Sequence, residues 1–234
     1  MNRLKNLKIR LHAIEMLTLM KQKYSYRELS KMLGLPISVI SRYVAGRVLP
    51  NYKRSLEIIN LVKEKELMNL IKEYVSMEEG ILIHHKLLSN VSLLSKIAAF
   101  LVSELELRKI DKVLTAEVDG IGIAILIALE LNSSLIVAKT KKEMGIKEFL
   151  EVRRIYPSGA YSYLYIPKGS IRKDEEVLIV DDVIRSGSTV EGLYKICLES
   201  NAKPKYIFSI LGIKDKVEEM ERKLKIPFKV LITF

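Results

Sequence analysis

The segment VLIVDDVIRSGSTVEG, residues 177–192, holds the residue types best placed to do chemistry. An apolar run, Val177-Leu-Ile-Val180, delivers two adjacent carboxylates, Asp181 and Asp182, and a loop of small hydroxyl residues begins shortly after. Arg185, Ser186, Gly187, Ser188 and Thr189 offer amides, hydroxyls and a guanidinium at an expected helix N-terminus, which favours a phosphate. Gly187 lets the backbone approach such an anion closely. The carboxylates can accept hydrogen bonds from vicinal hydroxyls, as on a ribose. A sugar 5-phosphate satisfies both surfaces at once.

For these groups to converge, the apolar run must be a buried strand and the residues from Thr189 to Glu199 a helix. The surrounding pattern agrees. Helices are expected over 87–105 and 121–131, and strands over 112–116, 134–138, 161–166, 206–210 and 229–233. Strands interleaved with helices indicate a mostly parallel α/β sheet, whose ligands bind beyond the carboxyl ends of the strands. A strand followed by Asp-Asp also opens receiver domains of response regulators, but those need several later βα units, and only 52 residues follow Asp182.

Residues 177–192 closely resemble the phosphoribosyl diphosphate (PRPP) signature of type I phosphoribosyltransferases. The resemblance implies that Asp181, Asp182, Arg185, Ser186, Gly187, Ser188 and Thr189 hold the ribose and 5-phosphate of PRPP. It places a diphosphate loop at Ala116, Glu117, Val118, Asp119 and Gly120. Glu117 and Asp119 put carboxylates beside a dianion, an arrangement tolerable chiefly with a magnesium ion between them. The implied Mg2+ arrives with PRPP and has no direct protein ligand.

Lys139, Lys141, Lys142 and the polar run to Tyr161 resemble the basic strand end and mobile loop of orotate phosphoribosyltransferases, with Met144 where those enzymes usually carry His. Arg153 and Arg154 read equally as loop cations or as solvated loop residues. Near the base, Ile213-Lys-Asp-Lys216 lacks the Arg of orotate enzymes. No catalytic residue is assigned.

The formal net charge is +11, and its distribution is uneven. Residues 1–62 carry 12 Lys/Arg against 3 Asp/Glu, while the remainder carries 27 against 25, so a basic head precedes a nearly neutral body. In the head, Leu7, Leu11, Ile14 and Leu17 suggest a helix over 7–21. Ser25-Tyr-Arg-Glu28 is a capping box opening a second helix with Leu29, Met32 and Leu33 inward and Gly34 at its end. Pro36 suits the first position of a third helix, whose apolar stripe is Ile40, Tyr43 and Val44.

Two short helices joined by about three residues form a helix-turn-helix. The segment SYRELSKMLGLPISVISRYVAGRVLP resembles the lambda-repressor-like regulators. That resemblance makes Ile37, Ser38, Ser41 and Arg42 readers of bases, with Arg47, Lys53 and Arg54 placed for phosphates. The alternative is a helical bundle that packs on a protein partner.

The expected organisation is an all-α helix-turn-helix domain over 1–62, a helical connector over 63–84, and a type I phosphoribosyltransferase-like α/β domain over 85–234. With hydrophobic residues at 49% and charged residues at 29%, the chain is neither disordered nor fibrous. Cys197 is the sole cysteine, so an intrachain disulfide and a cysteine-based zinc site are excluded. His12, His84 and His85 lack metal-motif spacing. The most apolar stretch, 121–131, is too short to span a bilayer, and 1–10 has no signal-like apolar region behind it, so a cytoplasmic setting is expected.

The whole arrangement resembles prokaryotic transcription regulators, notably an archaeal group, that join a helix-turn-helix to a phosphoribosyltransferase-like domain. This implies a homodimer on a palindromic double-stranded DNA operator, responding to PRPP or a related nucleotide. Two alternatives stay open. One is an active orotate or purine phosphoribosyltransferase with an accessory head, and the other is a regulator that binds structured RNA.

Overall fold

The computed structural model describes residues 3–62, 65–104 and 109–234. They fall into two compact units, Met1–Leu105 and Glu106–Phe234. The first unit therefore extends beyond the boundaries expected at 62 and 84.

The first unit holds α1 (Arg3–Lys23), α2 (Tyr26–Leu33), α3 (Ile37–Val44), α4 (Tyr52–Val62) and α5 (Lys65–Glu73). A small antiparallel pair follows, β1 (Ser76–Glu78) with β2 (Ile81–Ile83), then α6 (His85–Ser89) and α7 (Val91–Glu104). The hairpin lies within the stretch expected to be a helical connector. Residues 85–104 join this unit because the apolar α7 packs on α1.

The capping box forms as expected: the Ser25 hydroxyl accepts from the Glu28 amide at 3.3 Å, and the Ser25 amide donates to the Glu28 carboxylate at 2.7 Å. Gly34 ends α2 at φ +62°, in the left-handed region that favours glycine. Pro36 stands one residue before α3, where its carbonyl accepts from the Val39 and Ile40 amides, rather than opening the helix itself.

The buried face of α1 differs from the expected stripe. Ile9, Ala13, Met16, Leu17 and Met20 are buried, while Leu7 and Leu11 are 41% and 43% exposed. The cause is the position of α4: Ile58 and Ile59 pack with Ile9, Ala13 and Leu17, turning the 7/11 edge outward. Met32 is likewise exposed, because α2 inserts Leu29 and Leu33 instead.

The second unit is built on β3 (Lys112–Ala116), α8 (Ile121–Leu131), β4 (Ser134–Ala138), β5 (Phe149–Ile155), β6 (Tyr161–Pro167) and β7 (Glu176–Ile184). It continues through α9 (Ser188–Glu199), β8 (Lys203–Gly212), α10 (Lys214–Leu224) and β9 (Phe228–Thr233). Five strands form one parallel sheet in the order β4-β3-β7-β8-β9. The chain steps from β3 outward to β4 on one side, then resumes at β7 and proceeds through β8 and β9 on the other. The gap between β3 and β7 is thus the topological switch point, where the loops leaving two adjacent strands diverge and open a crevice.

Val177, Leu178, Ile179 and Val180 are fully buried in the central β7. Val190, Leu193, Ile196 and Cys197 of α9 share one core with Ile179 and Ile207 of the sheet, so α9 is fixed along its whole length.

β5 and β6 form a separate antiparallel hairpin. Residues 149–155, expected as part of a polar loop, alternate instead. Val152 packs inward with Leu164 and Ile166, while Glu151 and Arg153 face out. One bridge ties the hairpin to the end of β4: Lys139 and Tyr165 exchange backbone hydrogen bonds of 2.9 and 2.8 Å. Helix α10 was also unexpected; it buries Val217, Met220 and Leu224 from an otherwise charged segment. No helix among the described residues is long and apolar enough to cross a membrane.

Candidate ligand site at the strand ends

A cavity of about 340 Å³ opens at the switch point of the second unit. The loop 116–120 after β3 and residues 181–189 of β7 and its following loop line it, together with Tyr156 from the hairpin. The sequence-derived diphosphate loop and ribose-phosphate residues therefore meet in one place.

The acidic pair lies inside β7 rather than beyond its end. Asp181 is paired with Ser209 of β8, and Asp181 and Asp182 are only 7% and 5% exposed. Burial, with Asp182 beside it, pushes the Asp181 carboxyl well above the usual carboxylate range, and Arg154 offsets only part of this. The Asp182 amide donates to the Asp181 carboxylate at 3.1 Å. Two adjacent carboxylates buried in the cavity wall repel one another, and a hydrogen-bond donor or cation facing them lowers that cost.

Gly120 is required by close approach. A Cβ there would stand 2.7 Å from Thr115 Oγ1 and 3.3 Å from Asp181 Oδ1, so only a bare backbone lets the loop cross the end of β7. Gly187 adopts φ +78° and precedes α9, bringing the amides of that helix's first turn to the cavity. Ser186 and Ser188 share a hydroxyl hydrogen bond of 3.0 Å within the loop.

Glu117 behaves differently from the expectation that its charge confronts the diphosphate. Its carboxylate accepts from the Thr140 amide at 2.6 Å and from the Thr140 hydroxyl, and these bonds hold it below the usual carboxylate range. Asp119 is exposed, and its carboxylate comes within 4.8 Å of that of Asp182. The Glu117–Val118 peptide is cis.

The basic strand end does not converge on the cavity. Lys139 pairs with Glu143 at 2.6 Å, and Lys142 pairs with Glu151 at 3.0 Å while lying over the Tyr165 ring. Lys141 is exposed and absent from the lining. Arg154, by contrast, turns inward. It donates to Thr189 Oγ1 at 3.3 Å, to Ser162 Oγ at 3.2 Å and to the Tyr156 hydroxyl, so the hairpin is stitched to the first turn of α9. Tyr156 escaped the sequence reading because a tyrosine after a charged strand carries no local signal for a pocket.

In the first unit, Ile37, Ser38 and Arg42 are exposed and Ser41 is half-buried; Ser38 and Arg42 lie on the side of α3 opposite the buried Ile40, whereas Ile37, three residues before it, stands on the Ile40 side. Arg47 and Lys53 are exposed. Arg54 is half-buried and paired with Glu57 at 2.6 Å, its amide capped by Asn51.

The parallel sheet with its loops at the switch point defines a phosphoribosyltransferase fold. The chain superposes on adenine phosphoribosyltransferase from Thermoanaerobacter pseudethanolicus with a TM-score of 0.63 at 19% identity, covering 71% of this chain and 99% of that one. For the Trypanosoma brucei enzyme the TM-score is 0.64 at 18% identity, over 73% and 80% of the two chains. No protein-family model matches.

In sequence, the chain is 30% identical over 141 residues to xanthine phosphoribosyltransferase of Clostridium tetani, covering 53% of this chain and 72% of that enzyme. It belongs to the phosphoribosyltransferase family. The match spans 59% of the xanthine phosphoribosyltransferase of Alkaliphilus metalliredigens and about half the length of several others. The chain is also 25% identical over 224 residues to the purine biosynthesis transcriptional repressor PurR of Bacillus subtilis, covering 94% of this chain and 74% of the repressor.

Proposed function

We propose that the protein is a DNA-binding transcription regulator whose phosphoribosyltransferase-like unit binds PRPP or a related nucleotide and thereby changes operator affinity. One observation carries this reading: a repressor matches 94% of the chain, helical head included, whereas the xanthine enzymes match about half of it. Asp181 and Asp182 bind the ribose hydroxyls, Arg185, Ser186, Gly187, Ser188 and Thr189 bind the 5-phosphate, and Ala116, Glu117, Val118, Asp119 and Gly120 wrap the diphosphate. Magnesium enters with the ligand. The resemblance gives it no direct protein ligand, yet carboxylate oxygens of Asp119 and Asp182 lie within 4.8 Å of one another and would be able to flank it beside the phosphate oxygens. The ion would neutralise the diphosphate against these carboxylates.

The head reads double-stranded DNA through Ile37, Ser38, Ser41 and Arg42, with Arg47, Lys53 and Arg54 on phosphates. A homodimer would present two such helices to a palindromic operator in the cytoplasm. A ligand domain beginning near residue 85 finds support in the adenine phosphoribosyltransferase likeness, which covers 71% of the chain, a larger share than the second unit makes up, although 85–104 pack with the first unit.

Coupling requires the ligand to bind the free and operator-bound protein unequally, by roughly 1–3 kcal/mol. Isothermal titration of PRPP with Mg2+, with and without operator DNA selected from random sequence, tests this directly. Equal affinities sink the sensor reading. The 30% identity to a xanthine phosphoribosyltransferase favours a second reading, an active enzyme. Nucleotide formation from PRPP and xanthine, hypoxanthine, adenine or orotate, abolished by Asp181→Asn with Asp182→Asn, would establish it.

A further inference from the structure

We infer that Arg154 is a positioning residue that commits Thr189, and with it the phosphate loop, to donating hydrogen bonds to an anion. The inference rests on the sugar-phosphate reading of the cavity and deepens it.

A hydroxyl has one hydrogen to give and two lone pairs, so a serine or threonine in a loop can face either a donor or an acceptor. A guanidinium can only donate. When Arg154 Nη1 donates to Thr189 Oγ1 at 3.3 Å, one lone pair of that oxygen is occupied and its hydrogen must point away from the guanidinium, toward another partner. Thr189 lies in the first turn of α9 and lines the cavity, where the amides of that turn also converge. Its O–H therefore adds a donor to a set made of donors.

The same logic orders the neighbouring hydroxyls. The Tyr156 hydroxyl accepts from Arg154 and lies 3.1 Å from Ser162 Oγ, which itself accepts from Arg154 Nε at 3.2 Å. One guanidinium thus occupies a lone pair on each of three hydroxyls, two of them on residues lining the cavity, and turns their hydrogens away from itself. Arg154 itself is absent from the lining, so it acts through Thr189 and Tyr156 rather than on the ligand.

The chemical consequence is selectivity. A loop whose hydroxyls are free to rotate accepts a sugar alcohol as readily as a phosphate. A loop whose hydroxyls are committed donors prefers a fully ionised phosphate, whose terminal oxygens only accept.

A double-mutant cycle on the full-length protein tests this, with ribose 5-phosphate as the probe in calorimetric titrations at one fixed pH. Arg154→Met and Thr189→Val each weaken binding about tenfold, the effect of losing one charge-assisted hydrogen bond. If Arg154 works through Thr189, the double variant is no weaker than either single one, within about twofold. Arg154→Lys keeps a donor and recovers part of the loss. Multiplying losses in the double variant, or unchanged binding in Arg154→Met, overturns the inference while leaving the ligand reading intact. Failure of the wild-type protein to bind either ribose 5-phosphate or PRPP overturns both. Should Arg154→Met lose its far-UV circular dichroism, the cycle runs with Arg154→Lys, and the same non-additivity decides it.

Discussion

The carboxylate of Glu117 is held by Thr140, whose amide donates to it at 2.6 Å and whose hydroxyl donates beside it. The end of β3 is thereby tied to the end of β4, and a charge that would oppose a diphosphate is satisfied within the protein. These bonds lower the folded-state pKa of Glu117. The stabilisation is complete above the unfolded value of about 4.3 and is lost as pH falls through the lower folded value. Glu117→Ala therefore costs about 1 kcal/mol at pH 7 and progressively less toward pH 3. Urea unfolding of both proteins at the two pH values checks this; a gap that persists undiminished in acid contradicts it.

Asp181 has the opposite sign. Desolvation and the neighbouring Asp182 raise its folded pKa, so its penalty is full at neutral pH. As pH falls through the folded value the native state takes up a proton first, and the penalty shrinks until the unfolded value of about 3.9 is reached. Asp181→Asn should raise the melting temperature at pH 7 by about 2–4 °C. The gain fades in acid, and ribose 5-phosphate binding is lost throughout. Calorimetric melts with matched titrations read both effects, and a lower melting temperature at pH 7 would be the adverse result.

Gly120→Ala inserts a methyl 2.7 Å from Thr115 Oγ1 and 3.3 Å from Asp181 Oδ1. Overpacking of this kind costs about 1–3 kcal/mol. Because the tightest contact is one side-chain oxygen, adding Thr115→Ala relieves part of it. The double variant should be more stable than the two single effects sum to. Strict additivity in denaturant melts would show that Thr115 is not the obstacle.

In the head, Arg42→Ala should cost about 1–3 kcal/mol at a single operator position and relax the preference there. Arg47→Ala should weaken all sequences alike and lower the salt slope by about one. Arg54→Ala should change binding less than Arg47→Ala, because its guanidinium already pairs with Glu57. Mobility shifts against a site library at several salt concentrations separate these effects. Unchanged sequence preference in Arg42→Ala would move the reading surface off α3.

Much of the site was legible because its signals are local. A buried apolar run, two acids and a hydroxyl-rich turn lie within residues 177–192, and the capping box at Ser25 and Glu28 needs only four residues. What escaped depends on distant partners. Which stripe of α1 is buried was decided by Ile58 and Ile59, not by the helix's own pattern. Residues 149–155 are charged enough to read as loop, and only pairing with Tyr161–Pro167 turns Arg154 inward and Arg153 outward. Nothing local marks Thr140 as the partner of Glu117, 23 residues away. The lysines 139, 141 and 142 looked like a functional cluster, yet acids at 143 and 151 engage two of them.

The placement of Cys197 in the shared core of α9 has a practical side. Its thiol is fully buried, and desolvation pushes its pKa up to about 12, so it stays protonated and shielded from maleimides at neutral pH. The native chain is therefore already a silent background for site-directed labelling. A fluorophore or spin label on a cysteine introduced at Met144, which is 98% exposed, would report on the segment between β4 and β5 with no competing signal from the chain itself.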